Sequence, residues 1–215
     1  MAAGLNAIDM FARQGALVEK DVSPWQTFSG KGMAFRLQAF DWNGCAALSS
    51  LAMRAFCGLM RMDTLICTPY AKDLPLYSLD LIHALGRHTL LVEVYDTQLA
   101  PADLSAMMAV KETAHDLKDK PVKPNWYDHL RLPPCTCKTG PANRLSTLAD
   151  DMTAAYLGLF PAAPDADRTA KTARSSAYVE GLIAHGGPAI NTIRSILGPE
   201  AAETLFRRLL FGTGM

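Results

Sequence analysis

A chain of 215 residues, 49% of them apolar, is long enough to bury a sizeable core as one domain spanning residues 1–215. Its 21 basic residues balance its 21 acidic ones, which removes the global charge on which binding to nucleic acid or to an anionic membrane surface draws. Asp9, Arg13 and Glu19 interrupt the N-terminal apolar residues and no run of about 18 uncharged apolar residues follows, so the sequence predicts no secretory signal, no membrane span and a cytoplasmic location.

Residues 6–20 carry Ile8, Phe11, Ala12, Leu17 and Val18 at mixed three and four spacing, the pattern of an amphipathic helix. SGKG at 29–32 is a tight turn, and MAFRLQAFDW alternates Phe35 and Leu37 with polar residues as a strand leaving a hairpin does. Asn43-Gly44 marks a second turn. The following stretch, 46–69, is rich in alanine, methionine and leucine, so propensity alone favours a helix there.

The strongest strand signal lies in LPLYSLDLIHALGRHTLLVEVYD at 74–96. Two apolar runs, 74–83 and 89–95, flank a short segment containing Gly86, which reads as an antiparallel hairpin near the middle of a sheet. Asp80 sits inside the first run between Leu79 and Leu81, where a carboxylate either faces solvent or points into a pocket.

A helix is expected over 102–117, with Met107 and Met108 as core filler, and KDKPVKP at 118–124 is a charged, proline-punctuated loop. Residues 143–160 form a further amphipathic helix stopped by Pro161, and 161–167 is a linker within the domain. Helices near 170–184, 188–197 and 200–211 complete the chain, the first broken by His185-Gly186-Gly187 and the second by Gly198-Pro199. Strands clustered before helices point to an α+β arrangement.

Five cysteines, at 45, 57, 67, 135 and 137, make no spaced framework, so reduced thiols are expected. Cys135 and Cys137 supply two metal ligands where about four are needed, and no second pair completes them, so no metal is expected. No glycine-rich phosphate loop, Walker lysine or Gly-x-Ser-x-Gly elbow appears, which weakens nucleotide-dependent and serine-hydrolase readings.

The run LPLYSLD at 74–80 resembles the ferredoxin-dependent bilin reductases, in which a leucine-proline-leucine-aromatic run leads to the central catalytic aspartate. Residues 178–211 resemble the closing pair of helices of the same family: a tyrosine-led helix, a glycine break, an alanine-containing amphipathic helix and a terminal Leu-Leu-Phe. This family groups with red chlorophyll catabolite reductase, and the chain reads as a divergent, short member of the superfamily. The resemblance implies a three-layer α/β/α sandwich with a largely antiparallel central sheet, and it favours strands over 46–69.

It also implies a reaction: reduction of an open-chain tetrapyrrole with electrons from reduced ferredoxin and no tightly bound cofactor or metal. Asp80 falls on the main proton donor. The histidine that partners it falls on Asp63, which reads either as a second proton donor or as a strand-end carboxylate. The pocket glutamate falls on Leu51, which cannot donate a proton, and Tyr77 falls among the substrate contacts. Lys138 falls on an arginine that grips a substrate propionate, keeping the charge without the bidentate fork. His185 lies beside glycines that replace a loop aspartate or asparagine, and it reads either as a surface residue or as a second proton donor. An acidic ferredoxin would dock on Arg54, Arg61, Lys72 or Arg87. The missing glutamate keeps an alternative open, a protein that binds heme or a bilin without turning it over.

Overall fold

The computed structural model describes residues 4–214. Nine antiparallel strands make one sheet: β1 (Leu17–Glu19), β2 (Thr27–Gly30), β3 (Met33–Trp42), β4 (Ala46–Ala55), β5 (Met60–Pro69), β6 (Leu76–Ala84), β7 (Arg87–Tyr95), β8 (Lys118–Asp119) and β9 (Thr136–Thr139). The order is β1-β3-β4-β5-β6-β7-β9-β8, with β2 also paired to β3. From β2 to β7 the strands follow one another as a meander, because each is joined to the next by a short connection. Two of these are two-residue turns, Lys31-Gly32 and Leu85-Gly86, with φ positive at both positions in each, the geometry that suits a twisted hairpin.

The stretch over 46–69 is β4 and β5, not a helix. β4 is paired along its whole length with both β3 and β5, and β5 along its whole length with β4 and over Met60–Cys67 with β6. Pairing on two sides and burial on two faces outweigh the few tenths of a kcal/mol per residue by which alanine and leucine favour a helix (about 0.2–0.7).

Helices α1 (Gly4–Gln14), α2 (Ser105–Glu112) and α3 (Ala142–Leu157) cover one face. There α3 buries Leu148, Met152 and Tyr156 against Leu48, Leu65, Tyr77 and Val92. The opposite face is covered by α4 (Arg168–His185), α5 (Pro188–Leu197) and α6 (Pro199–Thr204), the last running on into a π-helical turn, Leu205–Leu210. These pack Tyr178, Ile183, Ile193 and Phe206 on Leu37, Leu51, Met53 and Tyr95. The result is the three-layer α/β/α sandwich with an antiparallel sheet. No helix among the described residues is long and apolar enough to cross a membrane.

Specific polar contacts fasten the second layer. Asp167 caps α4 by accepting from the Ala170 N–H at 2.8 Å. Ser49 on β4 donates to the Leu210 carbonyl at 2.7 Å, satisfying a backbone acceptor that the end of the π turn leaves free. Lys171, on the buried side of α4, is wholly enclosed and donates to Thr97 O at 2.8 Å and Thr97 Oγ1 at 3.1 Å just beyond β7. Burial disfavours its charge and, despite the attraction of Asp73, lowers its pKa to about 8.

This last group makes stability depend on pH. Between about pH 8 and 10.5 the unfolded chain still holds the Lys171 proton while the folded one has released it, so folding gains stability as pH rises through that window. The Lys171→Met variant lacks this contribution. Chemical denaturation across the window should show the wild type gaining up to about 3 kcal/mol relative to the variant, and a constant difference would place the ammonium in solvent.

Candidate functional site

Which face a strand residue takes is settled by register, since directly paired residues share a face and neighbours along a strand alternate. Leu37, Leu51, Thr64, Asp80, Leu91 and Cys137 are paired in sequence across β3, β4, β5, β6, β7 and β9. Leu37 and Leu51 pack under α4–α6, so the whole row, Asp80 included, looks toward that layer.

The Thr64 hydroxyl donates a short hydrogen bond to Asp80 Oδ1 from the adjacent strand. Asp80 is half-buried, and the protein packed around its carboxyl raises the pKa, with the Thr64 bond opposing. Glu93 on β7 pairs with Ser78, two residues before Asp80 on β6, and so lies diagonal to Asp80 on the same face. It is buried. Burial pushes its carboxyl up first of all; the Tyr95 hydroxyl opposes this, Asp80 adds to it and Arg131 opposes it again.

Arg131 Nε stands 3.7 Å from Glu93 Oε1, close enough for charge attraction but not for a hydrogen bond. Both atoms are buried without a hydrogen-bond partner, and so is Trp126 Nε1. Aromatic rings wall this region: Tyr95 lies 4.4 Å from Tyr178 and 5.4 Å from Tyr127, and Trp126 stacks on His185 at 4.9 Å and 22°. Gly181 on α4 makes room for the indole, because a Cβ there would fall 2.1 Å from Trp126 Cη2. The arrangement therefore joins two acids held toward their protonated forms, unpaired buried donors and flat apolar walls. Chemically, such rings can stack on a flat conjugated group and such acids can give up protons.

Of the residues expected from the sequence, Asp80, Leu51 and His185 belong to the α4 side of the sheet. Leu51 is buried two strands from Asp80, and His185 is exposed at the end of α4 over Trp126. The other three are not brought to the Asp80 face. Asp63 precedes Thr64, so it projects from the α3 side, paired with Leu81 and Ala52 and held by Arg54 at 3.1 Å. Lys138 is paired with Leu90 on the α3 side, buried, with its ammonium 2.8 Å from Asp119. Tyr77 is enclosed in the α3 core, stacked on Tyr156 at 4.6 Å with its hydroxyl 3.1 Å from Thr153 Oγ1. A concavity of about 270 Å³ on that far side is lined by Arg36, Gln38, Ser50, Arg54 and Asp63, and Asp80 takes no part in it.

Glu93, Arg131, Tyr127 and Trp126 were not singled out from the sequence as site residues. Glu93 carried the same signal as Asp80, a lone carboxylate inside an apolar strand. Arg131 and Tyr127 lie in the loop between β8 and β9, where no periodicity reports direction.

No family model matches the chain, and no curated protein sequence matches it. In fold it is similar to phytochromobilin synthase from tomato, whose crystal structure is a complex with biliverdin. The TM-score is 0.73 over 97% of this chain and 81% of that one, at 13% identity. The two proteins share the architecture of a sheet between helical layers.

Two expectations test the site's construction. The folded state holds the Asp80 proton to higher pH than the unfolded state does, so its contribution to stability is full below the ordinary aspartate pKa and is lost as pH rises through the folded value. Asp80→Asn should therefore be stabilising at neutral pH relative to its effect in acid, and denaturation at both pH values checks this; an unchanged or reversed difference places Asp80 in solvent. Gly181→Ala should displace Trp126 and cost about 1–3 kcal/mol by overpacking, read as a changed tryptophan emission and a lower unfolding midpoint.

Proposed function

We propose that the chain binds an open-chain tetrapyrrole between the sheet and the α4–α6 layer and reduces it, with electrons arriving singly from reduced ferredoxin. The observation that carries this reading is the diagonal pair Asp80 and Glu93, two carboxyls whose surroundings favour the protonated form, beside an aromatic wall. Reduction of one double bond consumes two electrons and two protons. A one-electron carrier delivers only the electrons, so the protein has to place two proton donors at the ligand.

Asp80 is the first donor, with the Thr64 hydroxyl hydrogen-bonded to it. Glu93 is the second. Like charges this close disfavour double ionisation, so the pair retains a proton over a wider pH range than either acid alone. The unpaired Nε of Arg131 and Nε1 of Trp126 offer donors to the carboxylates and carbonyl oxygens that such a pigment carries. In this reading His185, stacked on Trp126, supplies a further proton at the rim. The fold shared with a biliverdin-binding protein supports the choice of ligand class.

Arg54, Arg61, Lys72 and Arg87 do not make one donor-docking patch. Lys72 follows β5 and pairs with Asp165 at 2.7 Å, whereas the three arginines lie at the opposite ends of their strands.

The test separates binding from chemistry. Asp80→Asn should bind biliverdin within a few-fold of the wild type while its anaerobic turnover with reduced ferredoxin falls by about a hundredfold or more, the usual contribution of a general acid. A wild type that binds biliverdin without converting it, and a variant that changes only affinity or spectrum, would instead identify a carrier.

A further inference from the structure

Three hairpin tips project side by side from one edge of the sheet. Register places them together: Met33 pairs with Ala55, Ala55 with Met60, Met60 with Ala84, and Ala84 with Arg87. The tips are therefore Lys31-Gly32, the 3-10 turn Phe56–Gly58 with Leu59, and Leu85-Gly86, and the Leu85 N–H donates to Leu59 O at 3.2 Å, tying the second to the third.

These tips carry large apolar side chains into solvent. Phe56 is 67% exposed, Leu59 58% and Leu85 81%. The backbone is strained to present them, with φ of +50° at Phe56, +54° at Cys57 and +49° at Leu85, a region that bulky side chains rarely adopt. A turn selected only for stability would hold Asn or Gly at such positions.

Charge is segregated at the same edge. Residues 27–36, 53–62 and 81–90 contain Lys31, Arg36, Arg54, Arg61 and Arg87, with His83 and His88, and no Asp or Glu, although the whole chain balances 21 against 21. Arg54 is engaged by Asp63 and Arg61 lies 3.3 Å from His83 Nδ1. The exposed, cationic rim is thus Lys31, Arg61 and Arg87 around three apolar points.

The geometry points to a lipid surface: we infer that Phe56, Leu59 and Leu85 insert into the headgroup region of an anionic membrane while Lys31, Arg61 and Arg87 contact lipid phosphates and carboxylates. The apolar points are convex projections, which a fluid bilayer accommodates without a matching cavity, whereas a protein partner would need a separate cleft for each. Apolar insertion combined with cationic contact is the pairing of signals that reversible membrane attachment requires. The inference is independent of the reaction proposed above.

Asn tolerates positive φ, so Phe56→Asn/Leu85→Asn removes the apolar points while easing the backbone, and its unfolding midpoint should be no lower than that of the wild type. In sedimentation with phosphatidylcholine vesicles containing about a third phosphatidylserine, the wild type should bind, more weakly as salt rises. The double Asn variant should bind at least about tenfold more weakly. Arg61→Gln/Arg87→Gln should lose most of the salt dependence, and Phe56→Trp should show a blue-shifted emission on vesicles. Absence of vesicle binding, equal binding by the double Asn variant, or tip-dependent affinity for an acidic protein such as ferredoxin with none for vesicles would overturn the inference.

Discussion

The pairing of β5 with β6 decides which side chains face the α4 layer. When Thr64 is matched to Asp80, the two-residue period of both strands puts Asp80 under α4 and sends Asp63 and Leu81 to the other side. The β6–β7 turn then fixes Glu93 one diagonal step away, and the two carboxyls come together on the same surface. Nothing in that juxtaposition depends on a mobile loop, because each acid sits on a central strand paired on both sides. A one-residue slip between β6 and β7 would separate the acids by the thickness of the sheet, and one between β5 and β6 would turn both of them away from α4.

The two helical layers do different work around this sheet. On the α3 side, Tyr77, Tyr156 and Thr153 interlock and Tyr156 donates to the Pro75 carbonyl at 2.8 Å, which leaves a closed core beneath β6. On the α4 side, residues 126–131 and the end of α4 meet over the acids with buried polar atoms that lack partners. An unpaired buried donor costs about 1–3 kcal/mol, and a ligand that accepts from Arg131 and Trp126 would recover that cost on binding. The α3 layer is closed by polar pairs, whereas the α4 layer keeps buried donors without a protein partner.

How much of this the sequence reveals depends on the kind of signal. The tight turns at Lys31-Gly32 and Leu85-Gly86 and the helices over 142–157 and 168–185 follow from periodicity and turn residues, the strand at 76–84 with Asp80 inside it follows from its apolar run, and the three layers follow from the resemblance. The choice between Asp63 and Thr64 does not follow, because carrying a family position back along the chain is uncertain by one residue and one residue changes the face. Lys138 fails for the same reason, its register with Leu90 being invisible before the pairing is known. Glu93 was legible by the argument applied to Asp80 but lies beyond the run that carries the resemblance. Arg131, Trp126 and Tyr127 depend on how an irregular loop folds back over the sheet, and Lys171 on the partner that Thr97 offers across the domain.

We propose that these acids and rings receive an open-chain tetrapyrrole and reduce it. The most direct test is an absorbance titration of the wild-type protein with biliverdin, with heme as comparator, followed by anaerobic addition of reduced ferredoxin. The expected result is a saturable spectral change with biliverdin that bleaches or shifts once electrons are supplied. No saturable change, or a complex that electrons leave untouched, would contradict the proposal.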